Sequence, residues 1–296
     1  MQEFQNSHDS ILHNLTSEQK EYATKVLNEF DENRDSAISE IKQWIQESDL
    51  RARTDDFFIL RFLRTCTFNI EKTKIKIRNY QMQRAKLPKW YPNTDPLQSK
   101  LQELLDLGIF LPLRKLDNQG RLIFVSRLVH DPDVITLSEI IKVSSMIGDI
   151  ALRDSVEASL YGVSLITDLE QLTLRHVTQM TPSFLMNVVH IWQECYPMRI
   201  QSLTFINMPE YGKFVSSITR FFLSNRLKEK LQIYSRKTTH DCFKDMPANI
   251  LPVEYGGTDG TIQELKEYWK KVVEENREWF IEDENYKPIF NSNPQI

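Results

Sequence analysis

Beyond residue 96 the chain stops repeating apolar residues at helical spacing and begins to alternate short apolar runs with longer helical stretches, which leaves few folds open. Ile109–Leu113, Leu122–Leu128, Val163–Thr167 and Ser202–Ile206 have strand length. Long helical segments separate the later ones, so the runs read as strands of a mostly parallel sheet covered by helices. The first two are different. Asp117-Asn118-Gln119-Gly120 between them tolerates the backbone angles of a turn, so those strands should pair directly. Thr136 and Glu139 form a capping box that opens a helix through Ile140, Ile141, Met146, Ile147 and Ile150. Thr181-Pro182 supplies an N-cap and a first-turn proline for a helix through Leu185, Val188, Val189, Ile191 and Trp192. A third box, Thr261 with Glu264, begins a C-terminal helix carrying Trp269, Val272, Val273, Trp279 and Phe280.

Before this region the pattern is helical throughout. Thr16 with Gln19 caps a stripe of Tyr22, Val26, Leu27 and Phe30. Ile38, Ile41, Trp44 and Ile45 give a second stripe, Phe57 to Leu63 with Phe68 and Ile70 a third, and Ile75, Ile77 and Tyr80 a fourth. The segment KLPKWYPNTDP, residues 86–96, concentrates prolines and turn formers and suits a connector. The expected organisation is a helical domain over residues 1–95, an α/β domain over 96–260, and a C-terminal helix and tail over 261–296.

Much chemistry is excluded by what the sequence lacks. Eight glycines, none in a GxGxxG or GxxxxGK arrangement, leave no backbone cradle for nucleotide phosphates. The six histidines, at 8, 13, 130, 176, 190 and 240, show no metal-ligand spacing and read as surface or satisfied packing residues. Asp168 and Glu170 are the one carboxylate pair placed after a strand, where α/β enzymes keep catalytic groups. No nucleophile stands near them in sequence, so hydrogen bonding is the expected role, and no catalytic residue, metal or cofactor is assigned. A net charge of −4 argues against nucleic acid as a partner. Cys66, Cys195 and Cys242 lack CxxC spacing and read as reduced thiols of a cytoplasmic protein. No segment approaches the roughly 20 apolar residues of a membrane span, and the first residues carry no signal-peptide pattern.

Several segments, taken in order, resemble the CRAL-TRIO lipid-binding family, most closely its tocopherol- and retinaldehyde-carrying branch. They are Asp55-Asp56-Phe57-Phe58-Ile59-Leu60-Arg61-Phe62-Leu63-Arg64 with Phe68, Leu116–Arg121, Asp168-Leu169-Glu170, Thr181-Pro182, Tyr196-Pro197, Ile206–Pro209 and Leu251–Gly257. The likeness covers residues 36–257 and implies a small all-α domain followed by an α/β lipid-binding domain with a lid helix. By resemblance, Ile141, Ser144, Ile147, Val163, Thr167, Met180, Val188, Ile191, Trp192 and Leu203 line a closed apolar cavity. The segment after Pro209 is then the lid. Phe214, Val215, Ile218, Phe221, Phe222 and Leu223 share one face of it, with Lys213, Ser216, Ser217, Thr219 and Arg220 opposite, so Val215, Ile218 and Phe222 join the ligand-facing set. A lid whose apolar face covers cargo when closed can bury that face in a bilayer when open, at about 25 cal/mol per Å² in either state.

The resemblance also implies a phosphoinositide-binding cluster at Arg199, Arg226, Lys228 and Lys230. Cys66 and Gln201 stand where the tocopherol carrier has arginines, Gly148 where it has a serine, and Met198 where a phosphatidylinositol carrier has a glutamate. The expected function is transfer of a tocopherol, retinoid or carotenoid type of lipid by a monomer in transient contact with anionic membranes. A phosphoinositide-sensing exchange or signalling module is the alternative, and an esterase using Asp168 or Glu170 a third.

Overall fold

A computed structural model of the chain describes residues 15–287. His8 and His13 lie outside them. Helices α1 (Ser17–Leu27), α2 (Asp31–Glu47), α3 (Asp56–Thr65) and α4 (Ile70–Lys86) form the leading region. Three of the four start where an N-cap side chain satisfies orphan amides: the Thr16 capping box for α1, Asp55 accepting from Phe58 N for α3, and Asn69 accepting from Lys72 N for α4; before α2, Asn33 Oδ1 accepts from Phe30 N instead. The third stripe ends sooner than its spacing suggested. Thr67 and Phe68 take left-handed angles of φ 51° and 56°, which closes α3 at Thr65 and hands Ile70 to α4.

After α5 (Ser99–Leu105) comes a five-stranded sheet ordered β1 (Phe110–Pro112), β2 (Leu122–Arg127), β3 (Val163–Asp168), β4 (Ile200–Met208) and β5 (Leu231–Ser235). β1 and β2 pair antiparallel through the expected turn, where the Asp117 carboxylate accepts from the amides of Gln119 and Arg121. The remaining pairs are parallel. Between β2 and β3 run α6 (Leu137–Arg153) and the short α7 (Val156–Tyr161). α8 (Leu174–Gln179) and α9 (Pro182–His190) connect β3 to β4. α10 (Gly212–Phe222) and α11 (Asn225–Glu229) then lead into β5, and α12 (Ile262–Glu275) and α13 (Arg277–Asp283) follow.

Three expectations change here. β5 is an edge strand with three of its five residues exposed, too polar to stand out as an apolar run. The helix expected through Trp192 keeps α geometry only to His190 and then widens into a π turn over Ile191–Cys195. The C-terminal helix breaks at Asn276, which places Trp279 and Phe280 on a separate element.

Helical and α/β parts share one continuous core, in which Ile41, Phe62 and Ile77 belong to the same buried cluster as Ile123, Val163 and Leu203. A buried ion network crosses the same boundary. Arg64 Nε and Nη2 donate to the two oxygens of Glu29 at 2.7 and 2.9 Å, Arg34 Nε donates to Glu29 Oε1 at 2.8 Å, and Arg64 Nη1 donates to Ser159 Oγ of α7 at 2.7 Å. Burial alone would raise the Glu29 pKa, but the two guanidiniums hold it below the ordinary carboxylate range. At the other side of the helical region Asp283 of α13 accepts from Arg53 and Arg84.

Asp168 ends β3 and ties three segments together. Its Oδ1 accepts from Asn207 Nδ2 at 2.8 Å and from Glu170 N at 3.0 Å, and its Oδ2 accepts from Tyr255 Oη at 2.9 Å. Asn207 sits at φ 55° on β4, and Tyr255 belongs to the Leu251–Gly257 loop. That loop turns so tightly that a β-carbon on Gly257 would fall 1.9 Å from Leu251 O.

Two stability outcomes follow. Arg64→Met leaves Glu29 short of its main partner and is expected to cost about 3–5 kcal/mol in urea unfolding. Asp168→Ala strands the Asn207 amide and the Tyr255 hydroxyl and is expected to cost about 3 kcal/mol by the same measurement.

Candidate functional site

Strand register decides which residues share a surface. Phe124, Leu165 and Leu203 are lateral neighbours on β2, β3 and β4, and Ser126, Thr167 and Phe205 form the next row on the same face. Alternation along β3 adds Val163 to that face. Val163, Thr167 and Leu203, expected as cavity positions, therefore come from one side of the sheet. α6 crosses this side. Phe110, opposite Ser126, stacks on Phe124 with centroids 4.9 Å apart, and a β-carbon on Gly148 of α6 would lie 3.7 Å from the Phe110 ring. Ile141, Ser144 and Ile147 recur on α6 at a spacing of three residues, one stripe of the helix.

From α9 and its π turn, Val188 and Ile191 are buried, while Met180 and Trp192 are half-buried and pack against the same core. Phe222 of α10 packs there too. Val215 and Ile218 are half-buried on α10 but fall outside that packed cluster. The α10 face is turned from the expected orientation. Gly212, Ser216 and Thr219 are its buried residues, whereas Phe214 and Phe221 are 66% and 78% exposed. The start of the helix lies close to the body: a β-carbon on Gly212 would stand 2.6 Å from Met208 Sδ and 3.1 Å from Leu172 Cδ2, and small residues continue the buried side. Ser216 Oγ donates to Lys213 O and Thr219 Oγ1 to Val215 O, within the helix itself.

A concavity of about 490 Å³ opens between the end of α3, α4, the π turn and the start of α11. Thr65, Cys66, Lys72, Lys76, Trp192, Glu194, Arg199, Arg226 and Leu227 are among its lining. Of the four expected cations, Arg199 and Arg226 line it, and Lys228 and Lys230 do not. Arg199 is largely spent on the fold. Its Nη2 donates to Leu160 O and, at 3.4 Å, to Tyr22 Oη of α1, and burial lowers its pKa. Lys230 donates to Ile200 O at 2.7 Å and to Gln201 Oε1 at 2.9 Å. Burial, with Arg226, Arg199 and Arg121 nearby, brings its pKa down to about 8.

Lys72 and Lys76 were missed. They lie one turn apart on α4 and meet Arg226 only in the fold, about half the chain away, so no local pattern pointed to them. Lys76 Nζ donates to Gln193 O at 2.6 Å, and burial lowers its pKa.

Asp168 takes the expected hydrogen-bonding role and is fully engaged in holding loops, whereas Glu170 is exposed and it is its backbone carbonyl, not its carboxylate, that accepts from Arg236. Among the described residues no group of His, Cys, Asp and Glu is arranged to hold a metal ion, and no helix is long and apolar enough to cross a membrane.

Relatives agree with this architecture. Residues 108–257 match the model described as CRAL/TRIO domain, and residues 30–101 match one described as Pinta-like, UBA domain. A mouse alpha-tocopherol transfer protein-like protein is 26% identical over 79% of this chain and 67% of its own length. Human clavesin-2 is 28% identical over 82% of this chain and 75% of its own. The solved structure titled "Crystal structure of Sfh5" superposes with a TM-score of 0.54 at 14% identity, covering 86% of this chain and all of that one, which supports the fold. The CRAL-TRIO match spans half of the chain, and this protein belongs to the CRAL-TRIO family of lipid-binding and lipid-transfer proteins.

Proposed function

We propose that the chain carries a compact isoprenoid-type lipid, of the tocopherol, retinoid or carotenoid kind, between membranes without transforming it. The observation that carries this reading is convergence. Val163, Thr167 and Leu203 share the face of the sheet that α6 crosses, Ile147, Val188 and Ile191 are buried and Ile141 half-buried in the same core cluster, and Ser144 and Thr167 are the polar members of the set. Such a wall binds by area and shape, with one or two hydroxyls to orient a head group. The carrier works as a cytoplasmic monomer, and α10 is its lid. The exposed rings of Phe214 and Phe221 are where that lid meets a bilayer. Relatives named for tocopherol transfer favour the same cargo class. Solvent extraction of the purified protein followed by mass spectrometry is expected to recover a neutral isoprenoid lipid, and recovery of phospholipid alone would overturn this choice of cargo.

A second reading has its own observation. Lys72, Lys76, Arg199 and Arg226 converge on a cleft against one carboxylate, Glu194, which suits a phosphorylated inositol head group. It makes the protein a phosphoinositide-sensing module, or gives the carrier its membrane address. Basic residues near an anionic surface contribute about 1 kcal/mol each, so Lys72→Glu with Arg226→Glu is expected to lower co-sedimentation with phosphatidylinositol bisphosphate vesicles at least tenfold. Unchanged binding would remove the cleft from both roles.

A further inference from the structure

Two imidazoles meet edge to face between the loop after β2 and α8. The rings of His130 and His176 lie 4.6 Å apart at 89°, and the residues are 4% and 2% exposed. The expectation that each histidine is a surface or satisfied residue holds for one of them. His176 Nδ1 accepts from Thr173 N at 3.1 Å, which leaves the proton on Nε2 to donate to His130 O at 3.1 Å. Both ring nitrogens of His130 are buried with no hydrogen-bond partner among the described residues. An imidazolium there would need two acceptors, and protonated His176 would set an N–H against the Thr173 amide.

The charged groups around the pair compensate only in part: Asp131 favours the protonated form of both rings, yet neither imidazole is bonded to it. Asp131, on the same loop, accepts from Asp133 N at 2.9 Å, Asp133 pairs with Arg175 at the surface, and Glu139 of α6 is taken up by the Thr136 cap. Burial first, and then the neighbouring His176, hold the His130 pKa down to about 4; burial also lowers that of His176.

The pair is connected to the lid by contacts on every step. Gln179 of α8 accepts from Leu137 N at 3.1 Å and donates to Pro132 O, so α8 clamps the loop that leads into α6. Just before α8, Leu172 O accepts from Tyr211 Oη, and a Leu172 methyl would stand 3.1 Å from a β-carbon on Gly212. Tyr211 and Gly212 begin α10. The lid therefore stands on the segment that His176 pins.

We propose that the His130–His176 pair is an acid-operated latch: protonation drives His130 out of its buried site, loosens loop 130–136 and α8, and removes the seat on which α10 closes. The latch is a property of the fold, and its role in cargo release rests on the carrier reading above. A buried neutral histidine stabilises the closed form fully above its ordinary value, and that stability is lost as pH falls from 6.5 toward about 4. For a pKa depressed from 6.5 to about 4, the closed-to-open ratio falls about tenfold at pH 5.5. An anionic membrane surface at about −30 mV lowers the local pH by about half a unit, which acts in the same direction.

Hydrogen exchange with mass spectrometry, on the full chain at pH 7.5 and 5.5 and corrected for intrinsic rates, tests the latch. Peptides spanning 128–137 and 172–180 are expected to exchange about tenfold faster at pH 5.5. His130→Phe keeps the aromatic edge and removes the charge, so it should abolish that rise; His130→Leu serves where phenylalanine perturbs folding. No rise in the wild type, or a rise kept in the folded variant, would overturn the proposal. Nitrobenzoxadiazole-labelled tocopherol, loaded at pH 7.5, should then leave for phosphatidylcholine–phosphatidylserine vesicles faster at pH 5.5 from wild type than from the variant. Equal release would refute coupling to the lid, whereas failure to load at pH 7.5 would count against the carrier reading and leave the exchange result standing.

Discussion

A carboxylate removed from water between two guanidiniums is the constraint on which the arrangement of this molecule depends. Glu29 follows α1, Arg34 belongs to α2, and Arg64 closes α3 and reaches on to Ser159 in the α/β region. Withdrawing Arg64 would leave Glu29 short of its bidentate partner in the interior, and parting the two regions would strip the buried Arg64–Ser159 hydrogen bond, so relative freedom of the two regions is costly. Thr65, Cys66 and Thr67, which line the basic cleft, come directly after Arg64. The cleft is thus a by-product of the ion network. It exists where the helical region is anchored against the sheet, and Arg199, bonded to Leu160 O beside it, belongs as much to the anchor as to the cleft.

Two surfaces of opposite character result. Apolar side chains line the helix-covered side of the sheet, and cations line the cleft outside it. Between them run the π turn at Ile191–Cys195 and the start of α11, so a single short stretch touches both: Ile191 looks to the core, and Trp192 packs on the core while lining the cleft. A π turn re-aims side chains that a regular helix would have kept in one stripe, and that is how neighbouring residues come to serve two surfaces.

What was legible in the sequence was local. Capping boxes at Thr16, Thr136 and Thr261 mark helix starts because cap and amide are three residues apart. The turn at Asp117 and the apolar runs of β2 to β4 are equally self-contained. Long-range pairing was not legible. Lys72 meets Arg226, and His130 meets His176 across 46 positions, through tertiary folding with no trace in spacing. β5 escaped notice because an edge strand needs little apolar surface. On α10 periodicity found the apolar arc but misjudged its direction: the helix starts from a sterically tight seat at Gly212, and small residues rather than phenylalanines continue its buried side.

That tight seat changes how α10 can move. Its buried hydroxyls, Ser216 and Thr219, are bonded to carbonyls one turn back on the same helix. They carry their partners with them. Displacing the segment therefore frees donors only at its two ends, where Tyr211 Oη lets go of Leu172 O and Gln193 Nε2 of Phe222 O, while the buried middle of the helix parts from the body with its own hydroxyls still bonded, whether protein, lipid or water lies beneath it.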